Sequence, residues 1–171
     1  FGRKTRAKSS EQVIAEFQAI YDTGFRGNIF IVDDNFIGHK KRAKAALREL
    51  ALWQAEHDWP FWLGTETDIR LGFEDELLDL MMKAGMCWVF LGIETPNEDS
   101  LRETGKTNNI KFDITQSVHR LQQKGLEVHA GFIIGFDSDD ESIFDRQIEF
   151  IRNARIPAAM VGTLGVSPGT Q

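Results

Sequence analysis

The chain has 171 residues, of which 42% are hydrophobic and 27% charged, and its formal net charge is −6. That balance fits one soluble globular domain or part of a larger one, and the acidic charge argues against nucleic acid as a partner. No apolar run reaches membrane-spanning length, no signal peptide is visible, and the single cysteine, Cys87, excludes an internal disulfide and suits a reducing, cytoplasmic compartment.

The first eight residues include Arg3, Lys4, Arg6 and Lys8 and read as an exposed basic arm. Phe1 in place of a Met predicts a processed or cut start. Ser9 and Gln12 have capping-box spacing, and Val13, Ile14, Phe17, Ile20 and Tyr21 then recur at helical spacing until Gly24 ends the helix. An apolar strand over 29–32 follows and runs straight into Asp33, Asp34 and Asn35. A basic helix is predicted over about 40–57 and is broken at Trp59-Pro60. A second strand is predicted over 61–65, a helix over 73–84 that stops at Gly85, and a third strand over 87–95. Past Pro96 come a short helix, a polar loop over 104–109, and a helix over 114–124 closed by Gly125. A fourth strand over 127–136, a helix over 139–154 and a fifth strand over 158–166 lead to the turn Ser167-Pro168-Gly169-Thr170.

Five strands separated by helical sequence predict an α/β fold. The strands are continuous apolar runs, the pattern of a parallel sheet buried on both faces. No glycine-rich dinucleotide fingerprint follows the first strand, since Gly27 precedes it, so a partial TIM-type barrel is favoured over an open Rossmann sheet.

In such folds the carboxyl ends of the strands share one face, and ligands bind there. Asp33, Asp34 and Asn35 end the first strand, Glu66 and Asp68 the second, Glu94 and Thr95 the third, and Asp137 the fourth. Ser167 and Thr170 lie just past the fifth. Asp137, Ser138 and Asp139 also read as caps of the next helix. Glu94 is directly continuous with a buried run, where a carboxylate needs a partner. Gly131 and Gly135 sit within or at the end of a strand, the mark of close approach by a ligand or by another part of the chain. His129 reads as a satisfied core histidine and Cys87 as a small buried residue. No His or Cys spacing points to a metal site in this chain.

These residues, taken in order, resemble the radical S-adenosylmethionine (SAM) enzymes, and within them the cobalamin-binding, hopanoid-biosynthesis-like group. "VFLGIETPNEDSL", "GFIIGFDSDDESIF", "SPGT" and "IFIVDDNF" look like four of the family's strand-end motifs, at βα spacing. The resemblance implies that Asp33, Asp34 and Asn35 lie near the methionine moiety of SAM, joined at the strand ends by Glu66 and Thr95. It implies that Glu94 contacts the ribose or the amino group, and that Gly131, Ile133 and Gly135 line the adenine, with Ser167 and Gly169 completing that side. The family's acid at the end of its fifth-strand motif is Ser138 here. Its C-x3-C-x2-C cluster motif does not occur in this sequence. The resemblance therefore implies a single incomplete barrel domain over 1–171, family strands 2 to 6, with the 4Fe-4S ligands and any cobalamin domain outside it. The implied activity of the intact protein is reductive cleavage of SAM to a 5′-deoxyadenosyl radical that acts on a small-molecule substrate, with cobalamin as a further cofactor; the fragment alone is expected to be inactive.

Two other readings stay open on the residues alone. One is a metal-dependent barrel hydrolase or lyase with Asp33, Glu66, Glu94 and Asp137 around Mg²⁺. The other is a non-catalytic α/β binding module. In the barrel reading the strand over 29–32 is an unpaired edge, which predicts self-association of the fragment.

Overall fold

The computed structural model describes residues 8–165. Arg3, Lys4, Arg6, Ser167, Gly169 and Thr170 lie outside the described residues. Helix α1 (Ser10–Asp22) starts as its sequence dictates: the Ser9 hydroxyl accepts from the Gln12 amide and the Gln12 side chain accepts from the Ser9 amide. Strand β1 (Gly27–Ile31), helix α2 (Lys40–Glu56), strand β2 (Phe61–Thr67), helix α3 (Asp75–Lys83) and strand β3 (Met86–Glu94) follow in alternation. Next come two short helices, α4 (Glu98–Glu103) and α5 (Asn108–Lys111), then α6 (Ile114–Lys124), β4 (Glu127–Ile134), α7 (Ile143–Asn153) and β5 (Ala158–Thr163).

The five strands are parallel and lie in chain order, β1-β2-β3-β4-β5. They form a curled half-barrel backed by helices. Each strand sends alternate residues to opposite faces. The helix-facing set, Leu63, Thr65, Val89, Leu91, Ile93, Val128 and Ala130, is fully buried. It packs on Leu47 and Leu50 of α2, Leu77, Leu78 and Met81 of α3, and Val118 and Leu121 of α6. Gln54 is a buried polar hub in this layer, donating to the Phe61 and Ala84 carbonyls and accepting from the Phe61 amide.

The other face departs from the expectation of burial on both sides. Phe30, Trp62 and Met160 point into the open half-barrel and are 41, 61 and 68% exposed. Apolar residues lining an open concavity give the same continuous run as residues sealed in a core, so the sequence pattern alone does not separate the two.

Other differences are local. Cys87 is exposed, not buried. The β2–β3 register slips between Leu63 and Gly64, with Met86 opposite Leu63 and Trp88 opposite Gly64, so Cys87 is the extra residue of a bulge. Strand β4 stops at Ile134 and α7 begins only at Ile143, so Asp137, Ser138 and Asp139 do not cap it. His129 is half-buried on the open face, where it meets Glu127 at 2.7 Å and stacks on Trp88.

Candidate functional site

The carboxyl ends of β1, β2 and β3 bring acids together. After β1 the chain turns at once: the Asp33 carboxylate accepts from the Asn35 amide at 2.9 Å, an Asx turn. This turn holds Asn35 inward, where its Nδ2 donates to Asp68 at 2.8 Å while its Oδ1 is buried without a hydrogen-bond partner. Asp68, just past β2, is clamped by the Arg70 guanidinium and the Arg70 amide. Burial pushes its carboxyl up, but the bonds from Arg70 and Asn35 outweigh that and hold it below the usual range.

Glu66, two residues earlier on β2, faces the open side. Its carboxyl is pushed up by burial and then by the negative charge of Asp34, against the opposing charge of Lys106, with Glu94 and Asp33 adding smaller upward effects. Three carboxylates and Lys106 thus lie close enough to act on Glu66.

Glu94 sits in the left-handed region, φ 70°, at a bulge between Gly92 and Glu94. A non-glycine residue held there costs on the order of 1–3 kcal/mol, and such strain gathers at functional sites. The bend folds the Glu94 carboxylate back over Gly92, where an added Cβ would lie 2.8 Å from Oε1. Lys106 completes the arrangement with an ion pair of 2.8 Å. Asn109 ties the bulge down by donating to the carbonyls of Gly92 and Ile93. Lys106 and Asn109 come from the stretch over 104–109 expected as a polar loop, whose end is instead the start of α5, and which carries no local signal of a role; the demand of Glu94 for a partner was the available clue.

The remaining candidates fall in two groups. Gly131 and Ile133 lie on the open face of β4, beside Met160 and Gly162 of β5. The space above Gly131 is filled by Phe90, 2.9 Å from a Cβ placed there. Gly135, at φ 95°, begins the turn after β4. Asp139 organises that turn: it accepts from the Gly135 and Phe136 amides, from Asn97 Nδ2 and from the Ser100 hydroxyl. Thr95 is fully buried and its hydroxyl accepts from the Asn97 amide, so it shapes the turn and does not line the opening. Asp137 is exposed, its amide donating to Glu103. Among the described residues no group of three or more His, Cys, Asp or Glu is arranged to hold a metal ion, which removes the geometric basis of the Mg²⁺ reading.

The sequence profile of the radical SAM superfamily matches residues 1–151. The chain belongs to the radical SAM superfamily. It is 42% identical over 170 residues to an uncharacterized methyltransferase, sll1242, of Synechocystis sp., and 34% identical over 170 residues to the hopanoid C-2 methylase of Rhodopseudomonas palustris. Each match covers 99% of this chain and 32% of the relative, so this radical SAM chain spans about a third of their length. Its fold matches the radical SAM methyltransferase TsrM of Kitasatospora setae, solved with cobalamin and a 4Fe-4S cluster bound, with a TM-score of 0.76 at 16% identity; the match covers 91% of this chain and 31% of TsrM. No helix among the described residues of the radical SAM chain is long and apolar enough to cross a membrane.

Proposed function

We propose that this chain is the SAM-binding core of a cytoplasmic radical SAM methyltransferase that uses a 4Fe-4S cluster and cobalamin and acts on a small molecule other than nucleic acid. In this reading the chain supplies family strands 2 to 6, and the cluster cysteines and cobalamin domain belong to other parts of the protein. Cys87 is the single cysteine of the 171 residues and by itself is short of the three thiolates a cluster loop needs. The methyltransferase names and the cobalamin-bound fold relative support the assignment.

One observation carries the placement of SAM. The open ends of β1–β3 hold Asp34, Glu66 and Glu94 with Lys106 as the one cation among the described residues acting on Glu66, whose carboxyl is pushed up first by burial and then by these acids. SAM brings a sulfonium and an ammonium, the charges this cluster lacks. The buried, unpartnered Asn35 Oδ1 is an acceptor suited to an ammonium donor. Lys106 stands where it can meet the ligand's carboxylate, and Gly131, Ile133 and Gly135 supply a flat backbone beside an adenine. When bound, the cluster supplies the electron that cleaves SAM; the residues of this chain bind, orient and shield it.

Anaerobically reconstituted full-length protein is the test. Formation of 5′-deoxyadenosine or S-adenosylhomocysteine from SAM, dependent on reductant, is the expected result. SAM left intact by protein with a full cluster would overturn the reading.

A further inference from the structure

Below the acidic strand ends, the open face of the sheet carries a row of aromatic rings. Phe30 of β1 stacks on Trp88 of β3 with centroids 5.2 Å apart and planes 9° from parallel. Trp88 stacks in turn on His129 of β4 at 4.8 Å and 24°. Phe30 and Trp88 stand two strands apart, and they meet only because β2 offers Gly64 between them. A Cβ at Gly64 would lie 2.1 Å from the Trp88 indole. A glycine in the middle of a buried parallel strand weakens it, so its presence marks the close approach of the ring. Gly131 makes the same recess for Phe90. The rings are therefore held in fixed planes, yet they are not sealed: Phe30 is exposed, and Trp88, Phe90 and His129 are half-buried.

Carboxylates flank the row. Glu66 lies two residues beyond Gly64 on β2, Glu94 lies beyond Phe90 on β3, and Glu127 precedes His129 on β4. Trp62, level with Asn28, and Met160 extend the apolar surface beside it. The exposed faces of the rings suit a flat ring system. The acids around them would repel phosphate, sulfonate or carboxylate groups on such a ligand.

We infer that the row Phe30–Trp88–His129 is the floor of a site for a flat, apolar substrate without anionic groups, such as an uncharged aromatic or fused-ring compound. The inference rests on the reading of the strand ends as the SAM site, which puts the row directly beneath the reacting end of SAM. Trp88 and Phe30 set which ring systems are accepted, and Gly64 is the positioning residue that lets them stack. Aromatic stacking together with apolar burial supplies the attraction.

The test compares two fluorescent probes on the full-length protein: phenylnaphthylamine, which is neutral, and anilinonaphthalenesulfonate, which carries a sulfonate. The neutral probe is expected to bind at least tenfold more tightly, with energy transfer from tryptophan to the probe. Trp88→Ala is expected to weaken it at least tenfold, and Trp88→Phe to retain most of the binding. SAM affinity, measured in parallel, is expected to change less than threefold in both variants. Equal binding of the two probes, or no binding because another part of the chain covers the rings, would overturn the inference using wild-type protein alone. Failure of the wild type to bind SAM would strike the SAM reading and leave the probe result to decide this one.

Discussion

The two faces of one sheet follow different rules. On the helix side, Leu63, Val89, Leu91, Val128 and Ala130 have no exposed surface and interlock with α2, α3 and α6. On the open side, the same strands present Phe30, Trp62 and Met160 to solvent and lay Trp88 and Phe90 over the glycine recesses at Gly64 and Gly131, and they end in a cluster of acids that raises the Glu66 carboxyl beyond what burial does. One face is spent on stability, the other is kept available at a cost in stability. Polar groups follow the same division. Gln54, deep on the helix side, has both ends of its amide satisfied. Asn35, at the strand ends, has a buried oxygen left over.

The contrast has a sharp energetic form. Leu91→Ala is expected to destabilise the domain by about 2–5 kcal/mol, the range for a fully buried leucine. Met160→Ala, on the same sheet but largely exposed, is expected to stay within about 0.5 kcal/mol. Urea unfolding of the two variants measures both, and similar losses would erase the distinction between the faces.

Asp139 belongs to the scaffold, although it stands next to the site. Its four hydrogen bonds hold the turn after β4 against α4, and Asp139→Ala is expected to cost about 1–3 kcal/mol through the donors it leaves unpaired. Burial raises this carboxyl, but the bonds outweigh burial and lower it. The stabilisation is therefore complete above the ordinary aspartate pKa and is lost as pH falls through the lowered value. The gap between wild type and Asp139→Ala should narrow in acid, below about pH 4; an equal gap at all pH values would remove the ionic part of the argument.

Glu66 should behave in the opposite way. Its carboxyl is raised, first by burial and then by neighbouring acids, so its ionised form opposes folding at neutral pH. Glu66→Gln is expected to stabilise the protein slightly near pH 7, with the advantage vanishing as pH drops through the raised value. Destabilisation by this variant at neutral pH would place Glu66 with the scaffold. The weakest expected effect concerns the β1 edge. Ile29 and Ile31 line an open groove of about 510 Å³ with Phe17 of α1 and Leu47 of α2. The isolated chain is expected to self-associate there at high concentration; a monomer by light scattering, with fast amide exchange along β1, would show an edge that is not adhesive.

The sequence was most legible where local chemistry decides. The Ser9–Gln12 box, the stops at Gly24, Gly85 and Gly125, and the alternation of strand and helix follow from short-range rules, and all are present. The strand ends were legible as a set because parallel strands share polarity. What escaped depends on distant partners or on one inserted residue. The bulge that exposes Cys87 follows from register against β2, which no pattern within β3 encodes. Lys106 reaches Glu94, and Asn109 of α5 reaches the Gly92 and Ile93 carbonyls, from a stretch with no periodicity. Asp139 reads as a helix cap because the eight-residue gap before α7 resembles helix in sequence and is held instead by contacts to α4. The openness of the inner face was hidden because aromatic residues that line a cavity and aromatic residues in a core look alike.

The claim on which the rest depends is that the acids at the ends of β1–β3 bind SAM. Calorimetric titration of SAM into full-length wild-type protein and Glu94→Gln tests it directly. Loss of a charge-assisted contact worth about 1.5–3 kcal/mol is expected to weaken binding by roughly tenfold or more, and wild-type affinity is expected to fall in acid as Glu66 takes up its proton. Equal affinity in both proteins, unchanged between neutral and acidic pH, would contradict the account.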